Sequence, residues 1–201
     1  MSGRLLNPAN LLTLSRLPLA FAFAPAYAAG AGGSRPALLA ATAIAGAIEL
    51  TDLVDGTVAR RLRCVTDFGK LVDPFADSFA RLAVFFTLAA VPFAGGGALV
   101  PLWVPLVLLL RDLGVSFLRS IAAARGIVIA ARTSGKIKAF VQGPAILAVL
   151  GIALLAGKET AARAGPWLGA VAAVVTLWSL VDYFAGNRAV LRDLAVTRPP
   201  R

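Results

Sequence analysis

The chain has 201 residues, of which 59% are hydrophobic and 15% charged, a balance that excludes an ordinary soluble globular protein and indicates a membrane protein. Its net charge of +10, in a chain without histidine, would suggest nucleic-acid binding in a soluble protein. Here the basic residues lie in gaps between apolar runs, so membrane topology and anionic lipid explain the charge, and we expect no nucleic-acid partner.

Six apolar runs are each long enough to cross a bilayer, which takes about 17–25 helical residues. They lie near residues 11–29, 37–58, 71–93, 99–122, 137–156 and 166–185. The sequence therefore predicts an all-α integral membrane protein, a bundle of six transmembrane helices. Residues 1–201 would form a single domain, with an N-terminal interfacial segment at 1–10 and a basic cytoplasmic tail at 186–201.

The lysines and arginines between the spans predict the orientation of the bundle. Most of them lie at the N-terminus, in the second and fourth connections and in the tail, whereas the opposite side carries Arg35, Lys158 and Arg163. The positive-inside rule then puts both termini in the cytoplasm, together with the connection between the second and third spans.

The first span opens with a polar segment in which Asn10 is the predicted N-cap of the helix. Arg16 follows within the span. The simplest interpretation of Arg16 is a side chain that extends to the membrane interface.

Four aspartates stand at the facing ends of the second and third spans, where an unpaired charge costs roughly 2.5–3.5 kcal/mol. Asp52 and Asp55 are three residues apart, and Asp73 and Asp77 are four apart, so each pair falls on one helix face. Residues 67–69 are predicted to form a turn that brings the second pair beside the first. Four clustered carboxylates need cations, and such hard oxygen ligands suit Mg²⁺ or Mn²⁺.

The helix surface next to Asp55 carries almost no side-chain bulk, because Gly56 and Ala59 follow one and four residues later. So bare a backbone favours the close approach of a ligand or of a neighbouring helix.

The fourth span contains Arg111, Asp112 and Arg119. Adjacent side chains on a helix point about 100° apart, so we expect Arg111 and Asp112 to pair with other helices rather than with each other. Arg119 lies two turns beyond Arg111 on the same general side, an arrangement that suits an anion. Buried ion pairs that join helices are the structural alternative.

The start of the fifth span combines Ser134, Gly135, Lys136 and Lys138. A helix N-terminus presents unpaired N–H groups and a partial positive charge, so a phosphate binds there readily. An ordinary positive-inside cluster is the alternative, but the hydroxyl, the glycine and the two lysines together favour a phosphate site.

The pattern Asp-x2-Asp-Gly-x2-Ala-Arg-x8-Gly-x3-Asp-x3-Asp runs from Asp52 to Asp77, and it is the signature of the CDP-alcohol phosphatidyltransferase family, which the chain resembles. The segment with Asn10, Thr13 and Arg16 is similar to the opening of the first membrane helix in the glycerol-phosphate branch, and these residues would edge the nucleotide site. Arg-Asp-x3-Ser-x2-Arg followed by Gly-Lys-x-Lys resembles the phosphatidylglycerolphosphate synthases, although Asp112 stands where glutamate is commoner.

This resemblance implies metal-dependent transfer of a phosphatidyl group from CDP-diacylglycerol to sn-glycerol 3-phosphate, by direct attack of a hydroxyl on the β-phosphorus. It also implies two Mg²⁺ or Mn²⁺ ions, a homodimer and a place in the bacterial inner membrane, with the active site on the cytoplasmic side. The expected metal ligands are Asp52, Asp55, Asp73 and Asp77. The expected ligands of CDP and its pyrophosphate are Asp52, Gly56, Ala59, Arg60, Gly69 and Thr13. The expected ligands of the acceptor phosphate are Arg111, Arg119, Ser134, Lys136 and Lys138.

In a chain without histidine a carboxylate is the natural general base, and Asp77 is the best candidate for that role. Gly165, Gly169 and Ala173, at four-residue spacing, would allow close contact between helices, as at a dimer interface.

Three alternatives remain open from the sequence. The same chemistry could use another alcohol, either an inositol phosphate or a second phospholipid. Intramembrane acids also mark ion pathways, so the protein could be a divalent-metal or proton transporter, although its acids crowd one end of the bundle. A non-catalytic assembly partner is the third alternative, and the complete motif weighs against it.

Overall fold

A computed structural model describes residues 7–61, 66–93, 96–130 and 132–195, without the side chains at positions 55–61, 67, 70, 194 and 195. Every regular element in these ranges is an α-helix, which confirms the predicted all-α fold. The helices are α1 (Pro8–Ala31), α2 (Arg35–Arg61), α3 (Asp67–Ala90), α4 (Trp103–Ala124), α5 (Thr133–Leu155), α6 (Lys158–Gly186) and α7 (Arg188–Ala195). The short α7 lies within the predicted basic tail, where no helix was expected.

Within the part of the chain that the structure describes, four helical stretches are long and apolar enough to cross a membrane, as expected of a membrane protein. These are Pro8–Ala31, Arg35–Val54, Thr133–Leu155 and Lys158–Gly186. The helices α3 and α4 cover most of the predicted third and fourth spans, but charged side chains interrupt both of them.

The helix α1 begins one turn earlier than the sequence interpretation placed it. Asn7 is the N-cap, and its side-chain oxygen accepts a hydrogen bond of 2.8 Å from the backbone N–H of Asn10. The predicted cap at Asn10 is therefore wrong, because Pro8 occupies the first helical position, which its fixed φ and missing N–H favour. The side chain of Asn10 donates instead to Thr66 Oγ1, at 3.1 Å.

The helix α3 begins at Asp67, so the predicted turn at residues 67–69 is also wrong. Thr66 caps this helix, because its hydroxyl oxygen accepts a 3.0 Å hydrogen bond from the N–H of Gly69. The cap gives a hydrogen-bond acceptor to one of the otherwise unpaired N–H groups of the first helical turn, and so lets the helix begin before the acids.

The core lies mainly between α1, α2, α3, α5 and α6, and its large buried side chains include Phe23, Leu88 and Ile146. The small residues of α6 pack inside the bundle. A Cβ on Gly165 would fall on the carbonyl oxygen of Leu99, and one on Gly169 would lie 3.0 Å from Val100. The close contact predicted for these glycines thus occurs within the chain.

Candidate active site

Three of the four motif aspartates line one cavity of about 280 Å³. Asp52 comes from α2, and Asp73 and Asp77 lie one turn apart on α3. The structure therefore has both features predicted from the sequence: Asp73 and Asp77 share a helix face, and α2 and α3 bring the acids together. The fourth position, Asp55, lies outside the described side chains.

Two buried arginines connect these carboxylates. Arg16 is fully buried, and its Nη1 lies 3.4 Å from Asp52 Oδ1 and 3.2 Å from Asp73 Oδ1. Arg81, on α3, places Nη2 at 2.7 Å from Asp52 Oδ2, and its Nη1 contacts Asp77. The interpretation of Arg16 as an interfacial side chain is wrong, because it points inward to the acids.

Of the predicted nucleotide-side residues, Thr13 contacts the acid cluster, and Gly69 lies beside Asn10 and Thr66. Thr13 Oγ1 is 3.5 Å from Asp73 Oδ1 and 3.2 Å from the carbonyl oxygen of Ala9. Gly69 makes room for Asn10, because a Cβ at this position would lie 2.6 Å from the side-chain oxygen of Asn10. The motif glycine therefore permits the contact that joins the starts of α1 and α3.

Basic side chains from α4, α5 and the connection between them line the same cavity. This cationic wall consists of Arg111, Arg119, Arg132, Lys136 and Lys138. Its members come from other helices than the aspartates, which lie on α2 and α3. One pocket can thus hold an anion against the cationic wall and cations against the acids.

Two groups on α6 hold the arginines of α4 in position. Arg119 Nε donates a 3.0 Å hydrogen bond to Tyr183 Oη, and the guanidinium carbon lies 5.6 Å from the centre of that ring. Arg111 Nη2 donates to Ser179 Oγ at 3.2 Å. A Cβ at Gly135 would lie 3.1 Å from the same nitrogen, so the glycine leaves room for the guanidinium.

Asp112 is the centre of a buried ion cluster. Its Oδ1 lies 2.8 Å from Lys138 Nζ and 3.0 Å from Arg111 Nη1. The expectation that Arg111 and Asp112 would not pair is wrong, because the long arginine side chain covers the angle between adjacent positions. The expected partner on another helix is also present, since Lys138 lies on α5.

Ser134 is buried and donates a 2.6 Å hydrogen bond to Asp182 Oδ2. Arg132 holds both oxygens of Asp182, at 2.7 and 2.8 Å, and these hydrogen bonds raise the pKa of the Arg132 guanidinium. Ser134 lines a neighbouring cavity of about 400 Å³ rather than the cavity of the acids. The structure thus brings the predicted Arg111, Arg119, Lys136 and Lys138 together and places Ser134 to one side.

The family model of the CDP-alcohol phosphatidyltransferases matches residues 6–181. The chain belongs to the CDP-alcohol phosphatidyltransferase family. It is 36% identical over 196 residues to the probable phosphatidylglycerophosphate synthase of Mycobacterium tuberculosis H37Rv, a match that covers 98% of this chain and 87% of that relative. It is 34% identical over 156 residues to the CDP-diacylglycerol–glycerol-3-phosphate 3-phosphatidyltransferase of Bacillus subtilis 168, which covers 74% and 76% of the two chains.

A third relative is the Escherichia coli K12 protein named CDP-diacylglycerol–glycerol-3-phosphate 3-phosphatidyltransferase, 32% identical over 146 residues, with 72% of this chain and 76% of that one covered. The resemblance inferred from the motif is therefore confirmed. The nucleotide-binding roles expected for Gly56, Ala59 and Arg60 remain predictions, because the side chains at these positions lie outside those that the structure describes.

The carboxylates of Asp52, Asp73 and Asp77 have the chemistry that binding of Mg²⁺ or Mn²⁺ requires, since hard divalent cations take carboxylate oxygens. Among the side chains that the structure describes, no three acidic, histidine or cysteine groups already form a metal-binding set. Arg16 and Arg81 hold oxygens of Asp52, Asp73 and Asp77. The type of donor fits a divalent cation, and such a cation would have to share these oxygens with the two arginines.

The sequence interpretation missed Arg81 and Glu49 as site residues. Arg81 Nε and Nη2 donate to the two oxygens of Glu49, at 3.2 and 3.0 Å. Helical spacing contained the signal, because Arg81 follows Asp77 by four residues and Glu49 precedes Asp52 by three, so each shares a face with a motif acid.

Proposed function

We propose that the protein transfers the phosphatidyl group of CDP-diacylglycerol to sn-glycerol 3-phosphate, giving phosphatidylglycerol phosphate and CMP. The observation that carries this proposal is one cavity that is lined both by aspartates of α2 and α3 and by the cationic wall. A metal-bound diphosphate and a second phosphate need acidic and basic groups in one cavity when both substrates are bound together. The names of the Bacillus subtilis and Escherichia coli relatives support the same donor and acceptor.

On the donor side, Asp52, Asp55, Asp73 and Asp77 would hold Mg²⁺ or Mn²⁺. When bound, two such ions would neutralise the diphosphate and stabilise the attacking and leaving oxygens of an in-line displacement. Arg60 adds a fixed positive charge to the pyrophosphate, and the small Gly56 and Ala59 let the nucleotide approach the helix backbone. Thr13 and Gly69 shape the edge of this donor site.

On the acceptor side, Arg111, Arg119, Lys136 and Lys138 hold the phosphate of glycerol 3-phosphate, with Ser134 supporting the start of α5. Asp77 takes the proton from the acceptor hydroxyl. The hydroxyl oxygen forms a bond to the β-phosphorus, and the bond from that phosphorus to the CMP oxygen breaks. The phosphatidyl group passes in one displacement, without a covalent enzyme intermediate.

The membrane arrangement that serves this chemistry has six spans, with α3 and α4 crossing beside the four apolar helices. Both termini lie in the cytoplasm, where water-soluble glycerol 3-phosphate is available, and the diacylglycerol part of the donor stays in the bilayer. The location would be a bacterial inner membrane and the assembly a homodimer.

An acceptor panel tests this proposal with purified protein, CDP-diacylglycerol and Mn²⁺. Glycerol 3-phosphate, inositol phosphate and phosphatidylglycerol are supplied singly, and release of CMP is followed. We expect rapid release of CMP with glycerol 3-phosphate and not with either of the other two acceptors. Preference for inositol phosphate or for phosphatidylglycerol would overturn the acceptor assignment while keeping the chemistry, and no release with any alcohol would overturn the enzyme activity.

A further inference from the structure

We propose that Glu49 and Arg81 form a positioning pair for the acid cluster. Arg81 holds Asp52 of α2 and Asp77 of α3 in register, and Glu49 offsets the charge of Arg81 so that both aspartates stay available to a divalent cation. This inference rests on the proposed function, because it concerns the metal-holding role of those aspartates.

The contacts of Arg81 show how one side chain can set the distance between two helices. Its side chain is 4% exposed, and the guanidinium reaches Asp52 Oδ2 at 2.7 Å as well as Asp77 on its own helix. The planar fork is fixed from behind by the two oxygens of Glu49. Three carboxylates therefore share one buried cation.

Glu49 and Arg81 line a second cavity of about 520 Å³, between α2, α3 and α5, rather than the cavity that faces the cationic wall. Asp52 lines both cavities, as do Lys136 and Ala139, and Arg81 contacts the acids through Asp52 and Asp77. Glu49 and Arg81 would thus act through the aspartates, without touching the substrate phosphates.

The helix α5 is built to admit Glu49. A Cβ on Gly143 would fall on the Glu49 carboxylate, so a glycine is needed where α5 passes this side chain. A side chain at position 143 would therefore change the geometry of the pair, although Gly143 bears no charge and does not line the cavity of the acids.

Charge explains why Glu49 matters to a cation. An arginine held by Asp52 and Asp77 alone would repel a divalent ion at the same oxygens and compete for them. Glu49 takes two of its N–H groups and cancels one unit of positive charge close to the site. Removing the Glu49 charge should weaken metal binding, even though Glu49 itself is not a ligand.

The test measures equilibrium binding of Mn²⁺ to the purified full chain in detergent, from the electron paramagnetic resonance signal of free Mn²⁺, without lipid substrate. We expect Glu49→Gln to raise the Mn²⁺ Kd about tenfold, the usual lower effect of altering a partner of a metal ligand. The matched control is Glu159→Gln, the same change at an exposed position at the start of α6, which should leave the Kd unchanged.

A second pair of variants moves Glu49 without changing any charge. Gly143→Ala should displace the Glu49 carboxylate and raise the Kd in the same direction, whereas Gly151→Ala, on the same helix with open space around it, should not. The KM for glycerol 3-phosphate, measured at saturating Mn²⁺, should stay at the wild-type value in both.

The outcomes separate this inference from the proposed function. If the wild type binds no Mn²⁺, the metal site and the positioning pair both fall. If the wild type binds Mn²⁺ and Glu49→Gln binds it equally well, the positioning pair alone is overturned. If Glu49→Gln lowers the unfolding temperature in EDTA but leaves the Mn²⁺ Kd unchanged, the contact is merely structural. If Glu159→Gln shifts the Kd as much as Glu49→Gln does, the effect is a general effect of charge. Either result overturns the inference.

Discussion

Lys136 and Lys138 offer a matched pair of substitutions, because they are two residues apart on α5 but stand in opposite environments. The Lys138 side chain is 5% exposed and its Nζ lies 2.8 Å from Asp112 Oδ1, whereas Lys136 is exposed at the cavity wall. Removing one partner of a buried ion pair costs about 3–5 kcal/mol. Since Arg111 stays 3.0 Å from the same oxygen, we expect Lys138→Met to cost about 3 kcal/mol, the low end of that range.

For a chain of this size, that loss corresponds to an unfolding temperature lower by roughly 6–12 °C. Lys136→Met should change the unfolding temperature little, since exposed substitutions usually lie within about 0.5 kcal/mol. It should instead raise the KM for glycerol 3-phosphate, because its charge faces the acceptor. The assay is thermal unfolding of both variants in detergent, followed by initial rates at varied acceptor concentration.

The variant Asp112→Asn provides the control. It leaves both Lys138 and Arg111 without their shared carboxylate, so it should lower the unfolding temperature more than Lys138→Met does. Equal unfolding temperatures for Lys138→Met and Lys136→Met would contradict this prediction, because the buried pair would then contribute nothing. An unchanged KM in Lys136→Met would refute the acceptor role of Lys136.

Three further substitutions test other parts of the site. Asp77→Asn should abolish turnover while CDP-diacylglycerol still binds, as measured by equilibrium binding of the labelled donor; normal turnover would exclude Asp77 as the base. Gly69→Ala should lower stability by about 1 kcal/mol, because the new methyl displaces the Asn10 amide from its hydrogen bond, and an unchanged unfolding temperature would contradict that. Tyr183→Phe removes the hydroxyl that holds Arg119 and should raise the acceptor KM by up to roughly tenfold, whereas an unchanged KM would separate Arg119 from the phosphate.

The parts of the site that follow from local spacing could be predicted from the sequence. Asp73 and Asp77 share a helix face because they are four residues apart, and the predicted return of the chain after α2 placed Asp52 beside them, although the turn does not lie at residues 67–69. The long apolar runs located the six principal helices, with ends within four residues of those observed except at the start of α6, which lies eight residues before the predicted position. The wrong N-cap was also a local matter, since Asn7 precedes Pro8 and that order favours Asn7.

The partners of buried charges could not be predicted in the same way, because they depend on which helices meet. Nothing local to Arg16 indicates that it reaches Asp52 and Asp73 across the bundle. Ser134 illustrates the opposite error, since a hydroxyl at a helix start suits a phosphate in general. Here Asp182, nearly fifty residues later, takes that hydroxyl through the packing of α6 on α5.

An omission experiment tests most directly whether the aspartates and the cationic wall act as one active site. Purified protein receives CDP-diacylglycerol, labelled glycerol 3-phosphate and Mn²⁺ together, and then with each component left out. We expect CMP and labelled phosphatidylglycerol phosphate to form in equal amounts when all three components are present, and neither product to form when any one is left out. Release of CMP without the acceptor, or an undiminished rate after complete removal of divalent metal, would contradict it.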